Sequence, residues 1–204
     1  MNTTRSLSAS KAAYAVTAGV CAALLATSAP ASAAPAAPVP NLELARYLGT
    51  WNQLAAIPQF FNLVCARDTR ANYSLDPAGD VTVRNSCTTW TGDPNEIVGT
   101  AKVTDPATNA QLAVNFRGET KTETNYVVTA LDPGYGWALV VNPTRTAGFV
   151  LSRTPVLTDG QWSEIRTAIT AAGANDCLFL TSPTTGGYDA IEPLCTKSIT
   201  DTVA

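Results

Sequence analysis

From residue 50 onward the chain is a succession of short runs rich in apolar, β-branched and aromatic residues, several alternating with polar ones. Alternation of this kind buries one face of a strand, and turn residues between the runs mark where the chain reverses. The runs fall at 50–57, 69–75, 81–89, 97–104, 110–116, 126–131, 135–141 and 147–153. Asp76-Pro77-Ala78-Gly79-Asp80 and Asp132-Pro133-Gly134 read as hairpin turns, and Asp105-Pro106 and Arg117-Gly118 end two further runs. Eight strands joined mainly by tight turns predict an antiparallel meander, which loses its open edges when it closes into a barrel. Beyond residue 153 the period lengthens. Trp162, Ile165, Ile169 and Ala172 form a stripe at helical spacing, with Thr158 or Asp159 as the cap and Gly173 at the end. This helix is expected to pack on the outside of the barrel. A short strand over 177–180 and a loop from 182 should follow.

The first 33 residues change the picture of the ends. Arg5 and Lys11 precede an almost wholly small and apolar stretch over 12–26, and Ala31-Ser32-Ala33 has the small-x-small pattern of a signal peptidase site. Residues 1–33 are therefore expected to be an export signal. The run is short and Ala-rich for a membrane span. Cys21 follows Val20 where a lipid-modified lipoprotein would carry a small residue, so Cys21 is expected to leave with the signal. Residues 34–41 read as a Pro/Ala tether without side chains to build a core, and the folded domain is expected over 42–204. Without the signal, which holds two of thirteen basic residues and no acidic one, eleven basic residues face sixteen acidic ones. The resulting charge of −5 over 171 residues argues against a nucleic-acid partner and against charge-driven binding to an anionic membrane.

Four cysteines then remain, and an even number in an exported chain favours disulfides. Three pairings are possible. Cys65–Cys87 with Cys177–Cys195 is expected, each closing a loop of about twenty residues that is worth about 3 kcal/mol in the chain-entropy account. The cysteine spacing does not suit a zinc knuckle, and the sequence has no histidine. That absence removes Ser-His-Asp and Cys-His catalysis and His-ligated haem. No catalytic residue, metal or cofactor is expected.

Three motifs carry a resemblance. Gly49-Thr50-Trp51 opens the first strand, Asp132-Pro133-Gly134-Tyr135 joins the sixth to the seventh, and Arg153 ends the eighth within Phe149-Val150-Leu151-Ser152-Arg153-Thr154-Pro155. In this order, with a helix behind them, they resemble the lipocalins, in particular the bacterial and apolipoprotein D-like branch. The second motif carries two residues between its Asp and Tyr. The likeness covers about 44–180. It implies an all-β fold: an eight-stranded antiparallel up-and-down barrel with one C-terminal α-helix packed outside. It also implies structural roles for Gly49, Trp51, Asp132, Tyr135 and Arg153, with the Arg153 guanidinium stacked on the Trp51 indole to plug one end.

The resemblance further implies a cavity for a small hydrophobic ligand such as a fatty acid or other lipid. Arg153 sets an inward parity that includes Leu151 and Phe149, and the likeness implies the same sense for Tyr126, Val128 and Ala130 and for Trp137, Leu139 and Val141. Phe60 and Phe61 lie in the loop expected over the open mouth. Arg67, Arg70 or Arg84 would serve as a carboxylate anchor only if it pointed inward. A secreted or envelope-located carrier or scavenger, with no transmembrane segment in the mature chain, is thus the expected function; the sequence leaves the oligomeric state open and favours a monomer. A protein-interaction or inhibitor module on the same scaffold, and a lipocalin-type enzyme using an unpaired cysteine, are the alternatives.

Overall fold

The computed structural model describes Met1 and residues 34–197. The expected signal, with its cleavage site, lies outside the described residues. A single turn of helix, α1 (Leu44–Tyr47), leads into β1 (Gly49–Ala56). There follow β2 (Cys65–Leu75), β3 (Val81–Thr89), β4 (Pro94–Val103), β5 (Gln111–Phe116), β6 (Tyr126–Leu131), β7 (Trp137–Val141) and β8 (Gly148–Ser152). Each strand pairs antiparallel with the next. β1 pairs with both β8 and β2, which closes the barrel. The helix α2 (Asp159–Ala171) and a two-residue strand β9 (Leu180–Thr181) complete the fold. Among the described residues no helix is long and apolar enough to cross a membrane.

Local chemistry explains the boundaries. Asp76 accepts from the amides of Ala78 and Asp80, both at 2.9 Å, and Gly79 takes φ +87°, so the chain reverses between β2 and β3. The expected strand at 135–141 starts two residues late because Tyr135 sits in the turn with φ +62°. The expected strand at 177–180 is instead a 3-10 turn, Asp176–Leu178, followed by β9. The Asn175 side chain accepts the Cys177 amide and turns the chain there. Thr158 caps α2 reciprocally with Gln161, and Trp162, Ile165 and Ile169 are buried.

Two apolar cores result. One fills the barrel around Trp51, Tyr47, Tyr73, Val128, Val140 and Leu151. The other lies between the outer face of β6–β8 and α2, and includes Trp137, Leu139, Val141, Val150, Ile165, Ile169 and Phe179. Residues 34–41 depart from the expectation that they contribute nothing to packing. Ala36 is buried in the outer core, Val39 packs on the inner one, and the Val39 amide donates to Val128 O at 2.8 Å. Small side chains here are an advantage, because an extended segment without bulk fits closely against a strand.

The barrel is forked at one point. β1 pairs with β2 only over Gly49–Asn52, and β9 takes that edge of β1 at Ala55 and Ala56. The Asp68 amide donates to Pro183 O and Asp68 accepts from Thr185, so the C-terminal segment fills the fork. Disulfides join Cys65 to Cys87, holding β2 to β3, and Cys177 to Cys195, tying down the segment after α2.

Candidate ligand-binding site

One end of the barrel is plugged. The Arg153 guanidinium lies 3.6 Å from the centroid of the Trp51 ring. It donates to the carbonyls of Thr50, Arg46 and Leu48, each at 2.8 Å. A four-residue helix cannot satisfy its own terminal carbonyls, and Arg153 does so for α1. The Trp51 indole N–H donates to Tyr47 O at 2.8 Å. Gly49 has φ +89°, and a Cβ there would sit 3.5 Å from the Arg153 Nη1. Asp132 holds the β6–β7 turn through the Gly136 amide, Tyr135 accepts the Glu43 amide at 2.9 Å, and Arg46 covers the Tyr135 ring.

Strand register decides which residues face the interior. Phe149 pairs with Val140 and Leu151 with Ala138, so these four share the inner face with Val128 and Tyr126. Tyr126, Val128, Phe149 and Leu151 therefore stand where the sequence placed them. Trp137, Leu139 and Val141 do not: they point outward into the core under α2. Ala130 also faces outward, because a bulge after Val128 shifts the register and turns Leu131 inward. The physical reason is that β7 is buried on both faces. A strand of Trp-Ala-Leu-Val-Val has no polar alternation to report its parity.

At mid-barrel three phenols meet. Tyr47 Oη lies 2.7 Å and Tyr73 Oη 3.1 Å from Tyr126 Oη. The Tyr47 and Tyr73 rings stack at 5.7 Å, and Tyr126 meets Tyr73 edge-on at 6.4 Å. Burial pushes the Tyr73 hydroxyl up to about 12 and drives Tyr47 and Tyr126 well above the ordinary tyrosine value. All three are neutral phenols at physiological pH. Sequence reasoning reached Tyr126 only. Tyr47 lies outside the alternating runs, whereas Tyr73, two residues from Ala71 opposite Trp51, was accessible by parity.

Below the phenols a cavity of about 20 Å³ is lined by Leu44, Leu48, Val81, Val83, Ala101, Leu112 and the three tyrosines. That is the space of a water molecule or so. The inward residues Ile97, Val114, Phe116, Tyr126 and Phe149 keep part of their surface exposed. Phe116 lies flat on the wall because its partner Gly99 has no side chain. A Cβ at Gly99 would come within 2.5 Å of the Phe116 ring.

The rim is apolar. Residues 60–64 form a 3-10 turn, with Phe60 83 %, Phe61 49 % and Leu63 74 % exposed, and the two phenylalanine rings meet edge-on. Trp90, 66 % exposed on the β3–β4 turn, donates its indole N–H to Leu63 O at 2.8 Å. The three arginines considered as carboxylate anchors lie elsewhere. Arg84 pairs with Glu96, Arg67 pairs with Asp189, and Arg70 shares the outward face of β2 with Asn72 and is exposed.

Comparisons with known proteins agree with this geometry. The sequence profile of the lipocalin-like domain matches residues 42–183. The chain is 34 % identical over 143 residues to the outer membrane lipoprotein Blc of Escherichia coli strain K12, covering 70 % of this chain and 79 % of Blc. It is 33 % identical over 134 residues to temperature-induced lipocalin-1 of Arabidopsis thaliana, covering 62 % of this chain and 71 % of that protein. Among solved structures, insecticyanin from the tobacco hornworm Manduca sexta superposes with a TM-score of 0.56 at 19 % identity, over 76 % of this chain and 92 % of that one.

Proposed function

This chain belongs to the lipocalin family, whose members typically bind small hydrophobic ligands, and on that premise we propose that it carries or scavenges a fatty acid or other lipid-like molecule in the mouth half of its barrel. The observation that carries the reading is the contrast between the two halves. The closed end is packed down to about 20 Å³, while apolar and aromatic side chains facing inward near the mouth remain partly exposed. Apolar surface on a concave wall, beneath a rim of Phe60, Phe61, Leu63 and Trp90, gains about 25 cal/mol per Å² when a ligand covers it. Phe60 and Phe61 gate the mouth in this reading, and Phe149, Leu151, Val128 and Tyr126 form the wall. Binding involves no chemistry. The four cysteines of the described chain are bonded in pairs, which occupies the thiols an enzyme on this scaffold would need.

We place the protein in the cell envelope or outside the cell. The reading of residues 1–33 as an export signal and the similarity to an outer membrane lipoprotein support this. Native mass spectrometry of protein purified from its own source, followed by organic extraction, tests the carrier function. A discrete added mass that leaves on extraction is expected. The small volume of the cavity favours a second reading, an interaction module whose barrel is filled by its own side chains. Failure of every apolar probe to bind saturably would establish that reading over the first.

A further inference from the structure

The polar groups inside the barrel discriminate among apolar ligands. Tyr47, Tyr73 and Tyr126 bring three hydroxyl protons, and the two contacts at 2.7 Å and 3.1 Å use two of them. One proton has no acceptor among the described residues. Tyr47 and Tyr73 are buried, whereas Tyr126 keeps part of its surface accessible. When both buried phenols donate to Tyr126 Oη, the Tyr126 proton is free to donate upward. Next along the wall stands Asn85. Its register partners Ala71 and Ile97 and its strand neighbour Val83 place it on the inner face. Its Oδ1 is buried and accepts no hydrogen bond. A buried acceptor without a donor is rare in folded proteins and calls for a partner.

Three cations of the barrel are engaged elsewhere. Arg153 is committed to three carbonyls below Trp51. Lys102 pairs with Asp80 on the outside and Arg84 with Glu96. A carboxylate drawn into this interior would be desolvated without a counter-charge.

We propose that the barrel selects an apolar molecule carrying an uncharged oxygen function, a hydroxyl or carbonyl, which accepts from Tyr126 and, when it is a hydroxyl, donates to Asn85, and that it discriminates against ionised carboxylates. This rests on the carrier reading above and, within it, sets aside fatty acids, which are ionised at neutral pH, in favour of alcohols, ketones and esters.

The test is displacement of the uncharged probe N-phenylnaphthylamine from the purified protein by dodecanol, methyl dodecanoate, dodecanoate and dodecane. At about pH 7.5 dodecanol and the ester should bind at least about tenfold tighter than dodecanoate. Dodecanoate should gain affinity as the pH falls towards the ordinary carboxyl range near about 4.3, where it becomes uncharged. Tyr126→Phe should weaken dodecanol and the ester about three- to tenfold and leave dodecane unchanged. Asn85→Leu should weaken dodecanol but not the ester, which has no proton to donate. Equal or tighter binding of dodecanoate at about pH 7.5 overturns the proposal. So does a Tyr126→Phe loss that is the same for dodecane as for dodecanol, since that reports packing alone. The wild-type comparison of headgroups and pH decides the matter even where a variant fails to fold. If neither the probe nor dodecane binds, the carrier reading itself falls, and the selectivity with it.

Discussion

Replacing Arg153 with lysine keeps the charge at the closed end and removes the fork that uses it. In the native barrel one guanidinium stacks on Trp51 at 3.6 Å and reaches three carbonyls at 2.8 Å. An ammonium is a point donor and cannot lie flat on the indole while serving carbonyls on both sides of it. Lysine should keep one of the three hydrogen bonds. The two lost are charge-assisted, but the carbonyls of Thr50 and Arg46 lie near the surface and recover water, so each loss costs about 1 kcal/mol. Loss of stacking adds about 1 kcal/mol. The sum, about 3 kcal/mol, corresponds to a Tm lower by about 6–12 °C for a domain of this size. Thermal and urea unfolding with intact disulfides measure it, with Arg153→Met as the companion and the exposed Arg84→Ala as the control. Lysine should fall close to methionine. A lysine variant within about 1 °C of the native protein would show that charge alone closes the barrel and that the three-carbonyl fork contributes nothing.

Three further outcomes follow from the same geometry. Leu139→Ala should cost about 2–5 kcal/mol of stability and leave ligand affinity unchanged, because Leu139 is fully buried under α2. Phe149→Ala should weaken ligand binding, and a reversed pattern in binding titrations of the two variants would contradict the assigned faces. The buried phenols predict alkaline instability. Their folded pKa values lie above the unfolded value of 10.0, with Tyr73 at about 12, so the folded state holds protons that the unfolded chain releases. Stability should be level up to about pH 10 and fall between about 10 and 12, by up to about 4 kcal/mol per pH unit for three groups. Phenolate absorbance from all the tyrosines near pH 10 in still-folded protein would refute this. Finally, replacing Cys177 and Cys195 by alanine should cost about 3 kcal/mol in the chain-entropy account. Amide exchange at Thr181 and Leu194, whose amides donate to Glu192 O and Phe179 O, should accelerate before that of β3 and β4. Uniform acceleration across the barrel would argue against a local role in holding the fork shut.

Much of the architecture was legible without coordinates. Strands such as 81–89, with Val81 and Val83 inward and Arg84 outward, alternate because one face meets the core and the other meets water. Hairpin turns announce themselves through Asp, Pro and Gly, and Trp162, Ile165 and Ile169 repeat at helical spacing. Gly49, Trp51 and Arg153 marked the plug through the resemblance their motifs carry, and the structure adds the chemistry: a positive φ at Gly49 and a flat cation on a flat ring. The interior was not legible in the same way. β7 is apolar on both faces, so only its pairing with β8 could assign Val140 to the inside and Leu139 to the outside. The bulge after Val128 turned Ala130 away from the cavity, and a one-residue shift leaves no mark on composition. Tyr47, Tyr73 and Tyr126 stand 26 and 53 residues apart in sequence, and only barrel closure brings their hydroxyls together. What the sequence determined by itself was periodicity and local backbone preference, which depend on neighbours along the chain. What the tertiary structure decided was which side of a fully buried strand faces in and which distant polar groups meet there. Those depend on register and closure, and register is a relation between strands that no single segment carries.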